Sequence, residues 1–106
     1  MIIFSLNLYG FGSPTKLASL KRLLQQIKPD IVFLQEALIE GDKEKNLFFQ
    51  CLPHWNAVAL DSHGFSRGLL TGWNPTFAEF CAFGTVAGIF LEGIFKHTKE
   101  PIKMLN

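Results

Sequence analysis

The sequence predicts a single α/β domain spanning residues 1–106, and three observations support that class. Residues 1–35 alternate between strand-like and helix-like patterns. After Pro53 the chain changes to short apolar runs separated by turns, which is typical of antiparallel strands. Hydrophobic residues make up 48% of the chain and eleven are phenylalanine, so a packed core is available and low-complexity disorder is excluded.

The first predicted strand, Ile2–Tyr9, is rich in β-branched and aromatic residues and ends at the glycine-rich turn "GFGSP". A helix is predicted to begin at Ser13 and Pro14, because the serine hydroxyl can cap the helix and proline suits its first turn. Apolar side chains then repeat at helical spacing, at Leu17, Leu20, Leu24 and Ile27. Pro29 ends the helix, since the residue before a proline is disfavoured in the helical region.

A second strand, Ile31–Gln35, follows the helix and reads as buried on both faces. Strand, helix and strand over this length make a βαβ-like unit, so we expect the first two strands to lie in one sheet. The polar stretch "EGDKEKN" leads into a short amphipathic helix over Lys43–Leu52, which Pro53 closes.

Four strands are predicted after Pro53, in "WNAVALD", "GLLTGW", "FAEFCAFG" and "GIFLEGIFKH". We expect them to form an antiparallel meander that supplies one sheet of a sandwich. Much of the opposing sheet would then be missing, and inward-facing residues such as Leu69, Phe80 and Phe90 would lack a partner. The last residues, "EPIKMLN", resemble the beginning of a further strand, which suggests that the domain is cut within an apolar run.

The charge and the cysteine content of the sequence bear on the partners and the cellular compartment of the protein. The net charge of +1 indicates neither a nucleic-acid nor a membrane partner and excludes neither. Cys51 and Cys81 form no metal-ligand pattern and are interpreted as free thiols in a reducing compartment. The N-terminus carries no recognisable targeting signal, and the most apolar stretch, Phe80–Leu91, is too short to cross a bilayer. We therefore expect an intracellular protein, with the nucleus as one candidate compartment, and no membrane partner.

Two polar residues lie near the carboxyl ends of the first two predicted strands. Asn7 is in the first strand and Glu36 directly follows the second, so both are expected at the same end of one sheet, where α/β folds place ligands. A carboxylate there is a hard oxygen ligand that suits Mg²⁺, and an amide can orient a phosphate without adding charge. The alternative is that Asn7 forms a turn and Glu36 is simply solvated.

The sequence "FSLNLYGFGSP" followed by "KPDIVFLQEA" resembles the opening of the endonuclease/exonuclease/phosphatase superfamily, which has the DNase I-like fold. "GFSRGLLTGWNP" is similar to a turn and strand in the branch found beside reverse transcriptases in non-LTR retrotransposons, and plant copies match its ending best. The resemblance extends over essentially the whole chain but over the N-terminal half of the family's domain only.

The resemblance implies a DNase I-like α/β sandwich, present as its N-terminal half, and a parent activity of Mg²⁺-dependent cleavage of DNA or another phosphodiester. Glu36 would bind the catalytic Mg²⁺, and Asn7 would be a catalytic residue that positions the phosphate. His63 and Ser66 in the "DSHGFSRG" turn are candidate phosphate contacts. A solvated loop histidine and a turn-forming serine are the alternatives.

The sequence departs from the family in three places. Leu6 replaces the aromatic residue that usually precedes the first-strand asparagine, and Arg67 replaces the first glycine of a Gly-Gly pair. The later motifs, a central tyrosine, "D-x-N" and "S-D-H", do not occur, and these supply the Asp and His that activate water. We therefore expect the chain itself to be inactive. The alternatives are a non-catalytic remnant or a small α/β module that binds nucleic acid or protein, and an incomplete sandwich could also self-associate.

Overall fold

A computed structural model describes residues 1–61 and 68–106, and this part of the chain forms two helices and seven strands. In chain order they are β1 (Ile3–Asn7), α1 (Pro14–Ile27), β2 (Ile31–Gln35), α2 (Gly41–Cys51), β3 (Asn56–Leu60), β4 (Leu69–Trp73), β5 (Ala78–Thr85), β6 (Gly88–Phe95) and β7 (Pro101–Leu105). The α/β class is confirmed. Helix α2 begins and ends slightly earlier than predicted, and the last apolar run does form a strand.

The strands are arranged in two sheets. The first sheet has the order β1-β2-β4-β3, in which β1 and β2 are parallel and β4 is antiparallel to both of its neighbours. Helix α1 supplies the crossover that a parallel pair requires. The second sheet has the order β5-β6-β7 and is entirely antiparallel.

The prediction that all four strands after Pro53 belong to one sheet is wrong. Strands β3 and β4 join the first sheet, and β5 to β7 form the second. The reason lies in the composition of β4, whose last four residues are all buried, so that it fits a central position beside β2. Phe80 therefore has a partner, since its ring meets that of Trp73 edge-on at 5.6 Å. Phe90 pairs in register with Phe83 and is not part of the buried inter-sheet core.

Two hydrophobic cores lie on opposite faces of the first sheet. The helix-side core joins α1 and α2 to the sheet, and its buried residues are Leu8, Phe11, Leu20, Leu24, Val32, Leu34, Ala37, Phe48 and Leu70. The inter-sheet core is built on the buried residues Ile31, Trp73 and Leu91. Alternate residues of β2 serve the two cores, as the pleat of a strand requires. At Gly72 the fit is so close that a Cβ atom would overlap the Phe48 ring.

Both ends of α1 follow from local sequence. The helix begins at Pro14 as predicted, but the Ser13 hydroxyl makes no capping hydrogen bond. Lys28 ends the helix in the left-handed conformation (φ 51°), and its N–H donates to the Leu24 carbonyl. Proline follows directly, where the helix cannot continue.

The remaining expectations concern membranes and thiols. Within residues 1–61 and 68–106, no helix is long and apolar enough to cross a membrane. Cys51 and Cys81 are free, as interpreted from the sequence. Burial raises the pKa of the Cys51 thiol, and the nearby Lys21 partly offsets that rise.

Candidate active site

The two predicted site residues lie at the same end of the first sheet. Asn7 is the last residue of β1 and pairs in register with Gln35, the last residue of β2. Glu36 is the next residue, so its backbone is adjacent to that of Asn7 at the carboxyl ends of two parallel strands. The structure thus brings together the two residues that the strand-end pattern predicts, while their chemical roles stay predictions.

The loops after β1 and β2 run side by side and are joined by hydrogen bonds. The N–H groups of Leu8, Gly10 and Phe11 donate to the carbonyls of Gln35, Glu36 and Ala37, each at 2.8 Å. This ladder holds Glu36 in the left-handed conformation (φ 53°), which costs a residue with a side chain about 1–2 kcal/mol. The half-buried Glu36 is therefore fixed in an unfavourable backbone conformation by its neighbours.

Strand β2 departs from β4 at this point. Its register with β4 ends where Leu34 lies opposite Leu70, and the next hydrogen bond runs from the Ala37 N–H to the Gly68 carbonyl at 3.1 Å. Gln35 and Glu36, which lie between these two contacts, have no Cα partner in the β2–β4 register.

Lys16 of α1 stabilises the loop on the other side. Its Nζ donates to the carbonyls of Leu8 (2.8 Å), Tyr9 (2.8 Å) and Gly10 (2.9 Å). The Asn7 side-chain oxygen accepts the N–H of Tyr9 at 3.0 Å. Asn7 thus forms a turn, the alternative that the sequence left open, and this turn also fixes the orientation of its amide.

Gly68, the residue directly before β4, contacts the loop that follows β2. This residue is buried at a φ of 89°, and a Cβ atom there would come within 3.2 Å of the Leu38 backbone nitrogen. Glycine is required on both counts. His63 and Ser66, the candidate phosphate contacts predicted from the sequence, lie outside the described residues.

Asn106 reaches the site from the second sheet and was missed by sequence reasoning. Its Oδ1 accepts a hydrogen bond from Gln35 Nε2 at 2.9 Å. Its Nδ2 donates to the Leu70 carbonyl at 2.9 Å and to Thr71 Oγ1 at 3.0 Å. The sequence around Asn106 does not predict these contacts, because the hydrogen-bond partners are 35 to 71 positions away along the chain.

Glu44 is the second residue that the sequence did not single out. It lies in the first half of α2 with 0% of its surface exposed, and both buried carboxyl oxygens lack a hydrogen-bond partner among residues 1–61 and 68–106. Burial, and secondarily the charge of Asp61, raises the pKa of this carboxyl from 4.5 to about 8. The group is therefore neutral near pH 7.

The donor atoms at the site limit the metal that they could hold. Across residues 1–61 and 68–106, no group of three or more His, Cys, Asp or Glu side chains is placed to hold a metal ion. Mg²⁺ keeps most of its waters and needs only one or two protein carboxylates. The carboxylate of Glu36 suits a hydrated Mg²⁺ ion of this kind. The described residues do not form a site in which protein side chains alone would surround the ion.

The layers define the class of the fold, a helix layer packed on a mixed sheet that packs on an antiparallel sheet. Two solved structures with this arrangement are crystal structures of TDP2 from Caenorhabditis elegans, one of them of the selenomethionine protein. Each matches with a TM-score of 0.62 at 15% sequence identity. The matches cover 98% of this chain and 34% and 33% of the TDP2 chains, so the chain spans about a third of the length of these structures.

The comparisons establish the fold of the chain as part of a DNase I-like α/β sandwich. No protein-family model matches the sequence. No curated protein sequence matches it either.

Proposed function

We propose that the chain carries the N-terminal half of a Mg²⁺-dependent phosphodiesterase domain, of the retroelement endonuclease type, whose substrate is DNA or another phosphodiester. One observation carries this proposal: Asn7 and Glu36 end two adjacent parallel strands of a DNase I-like sheet. The sequence motifs around both residues resemble those of that superfamily and support the same assignment.

Each residue has a distinct role in the proposal. Glu36 holds a hydrated Mg²⁺ ion through its carboxylate, and the bound ion would supply positive charge to a phosphate. Asn7 orients that phosphate with its amide, which the Tyr9 N–H holds in place. Lys16 contributes indirectly. It binds the Gly10 carbonyl, and the N–H of Gly10 donates a hydrogen bond to the Glu36 carbonyl.

The chain is proposed to be inactive by itself. Hydrolysis needs one group that deprotonates water and another that stabilises the leaving oxygen, and such groups contribute about 10²–10⁴-fold each. The family takes these groups from the "D-x-N" and "S-D-H" motifs, which the sequence does not contain. Within residues 1–61 and 68–106, no group of three or more His, Cys, Asp or Glu side chains is placed to take over this chemistry.

Two measurements test the proposal. Weak Mn²⁺ binding, followed by water-proton relaxation, is expected to fall in Glu36→Gln and to persist in Asp42→Asn, a matched removal of an exposed carboxylate. Plasmid nicking with Mg²⁺ is expected to be absent in all three proteins. Equal Mn²⁺ binding in Glu36→Gln and the parent chain would refute the metal assignment. Nicking that Glu36→Gln abolishes would refute the proposed inactivity.

A binding role through self-association is the second candidate, and an exposed apolar row favours it. Phe83, Phe90 and Leu105 lie in register across the second sheet, with Phe83 49% and Leu105 52% exposed. Among the described strands, β1 lies at an edge of the first sheet, and its residues include no charge or proline that would block pairing. We expect sedimentation equilibrium to detect dimers that Phe83→Ser weakens, whereas a monomer at all concentrations would refute this role.

A further inference from the structure

The side chain of Asn106 connects the two sheets at the point where β2 leaves β4. Its backbone belongs to the second sheet, since its N–H and C=O both pair with Ile89, at 2.8 and 2.9 Å. Its side chain belongs to the first sheet, where it bonds Gln35, Leu70 and Thr71. Thr71 is fully buried, whereas Asn106 and Gln35 are half-buried, so the connection lies at the margin of the core.

The chemistry of these partners requires an amide at residue 106. The Leu70 carbonyl can only accept a hydrogen bond, so the amide nitrogen must face it. The amide oxygen is then left to accept from Gln35 Nε2. An apolar side chain of the same shape, such as leucine, would satisfy none of the three partners.

Gln35 is the residue that this amide holds, and Glu36 is the next one along the chain. Gln35 lies one residue past the last β2–β4 pair and is paired with Asn7 of β1, while its side-chain Nε2 donates to Asn106 (2.9 Å) and to Ser5 (3.1 Å). We propose that Asn106 is a positioning residue that fixes the direction of Glu36 through Gln35. The part of this inference that treats Glu36 as a metal ligand rests on the proposed function. The part that concerns the position of the Glu36 segment does not.

The test uses the full chain labelled with ¹⁵N and two variants, Asn106→Leu and Gln35→Leu. Each variant removes one partner of the hydrogen bond between Gln35 and Asn106. Asn56→Leu is the matched control, because Asn56 is exposed at the start of β3. Hydrogen exchange is first measured without metal at the amides of Gly10 and Ala37, which hold the Glu36 segment in place. Mn²⁺ is then added, and the concentration that broadens the Ala37 amide by half is recorded.

We expect each variant to speed exchange of the Gly10 and Ala37 amides about tenfold, with little change at the helix amide of Leu24. Each should also raise the Mn²⁺ concentration for half-broadening about tenfold, the lower end for loss of a group that orients a metal ligand. The double variant should have less effect than the sum of the single ones, because both remove the Asn106–Gln35 hydrogen bond. Asn56→Leu should behave as the parent chain.

Several results would overturn the inference. One is a folded Asn106→Leu chain in which exchange at Gly10 and Ala37 is unchanged. Another is faster exchange with an unchanged Mn²⁺ concentration, which would make Asn106 a structural residue only. If Asn106→Leu does not fold, Gln35→Leu decides by the same criteria. If Glu36→Gln broadens like the parent, the proposed metal role fails, and the exchange measurement alone decides whether Asn106 positions the segment.

Discussion

Replacing Glu44 with glutamine should make the protein more stable, and increasingly so as the pH rises. The pKa of the folded-state carboxyl is raised from 4.5 to about 8 by burial and by Asp61, so the folded chain holds this proton more tightly than the unfolded chain. Below pH 4.5 the carboxyl is mostly protonated in both states, so the pH-dependent part of its cost disappears. Between pH 4.5 and about 8 only the unfolded chain ionises, and the free energy of unfolding falls as the pH rises.

The size of the effect follows from the shift. Each pH unit in this window removes about 1.4 kcal/mol of stability. The value pH 7 lies about 2.5 units above the unfolded-state pKa of 4.5. Ionisation of Glu44 in the unfolded chain therefore lowers the free energy of unfolding at pH 7 by about 3 kcal/mol. Glutamine has nearly the same shape and no charge at any pH, so Glu44→Gln should regain most of that amount.

Urea unfolding of the parent chain and of Glu44→Gln at pH 4.5, 6 and 7 measures the difference. The two curves should nearly coincide at pH 4.5 and separate as the pH rises. Asp42→Asn removes an exposed carboxylate from the same turn of α2 and should change stability little at any of these pH values. A constant difference between Glu44→Gln and the parent chain would show that Glu44 is ionised in the fold, and would refute this reasoning.

Three further substitutions test local features of the fold, each by thermal or urea unfolding. Gly72→Ala should destabilise the protein by about 2–3 kcal/mol, because its Cβ would overlap the Phe48 ring, and a smaller loss would show that the ring can move aside. Lys28→Gly should stabilise it by about 0.5–1 kcal/mol, since the helix cap is left-handed, and a loss would contradict the cap geometry. Lys16→Met should cost about 1–3 kcal/mol, because the carbonyls of residues 8–10 lose a charged donor, and an unchanged midpoint would mean that water replaces it.

Local signals in the sequence were sufficient for the elements that lie close together along the chain. Helix α1 begins at the predicted residue because Pro14 marks its first turn, and β2 has the predicted bounds because Pro29 precedes it and Glu36 follows it. The pairing of the later strands was not predictable in the same way. A run such as "LLTGW" identifies a strand, but its place beside β2 depends on contacts with residues forty positions earlier.

The candidate site likewise contains residues that local sequence predicts and residues that it does not. Asn7 and Glu36 could be predicted to meet, because both end strands joined by one crossover helix. Asn106 could not, since its contact with Gln35 spans 71 positions and depends on how the two sheets pack. Glu44 was hidden within a polar stretch, and only the packing of α2 makes it a buried acid.

Each of the two cores contains its own tryptophan, which provides a separate optical probe for each layer. Trp55 packs edge-on against Phe48 on the helix side, with ring centroids 6.1 Å apart. Trp73 lies between the sheets against Phe80, and its buried indole N–H has no hydrogen-bond partner in the part of the chain that the structure describes. Fluorescence of Trp55→Phe therefore reports on the inter-sheet core alone, and fluorescence of Trp73→Phe reports on the helix-side core. Coincident unfolding curves from the two proteins would mean that both layers open as one cooperative unit.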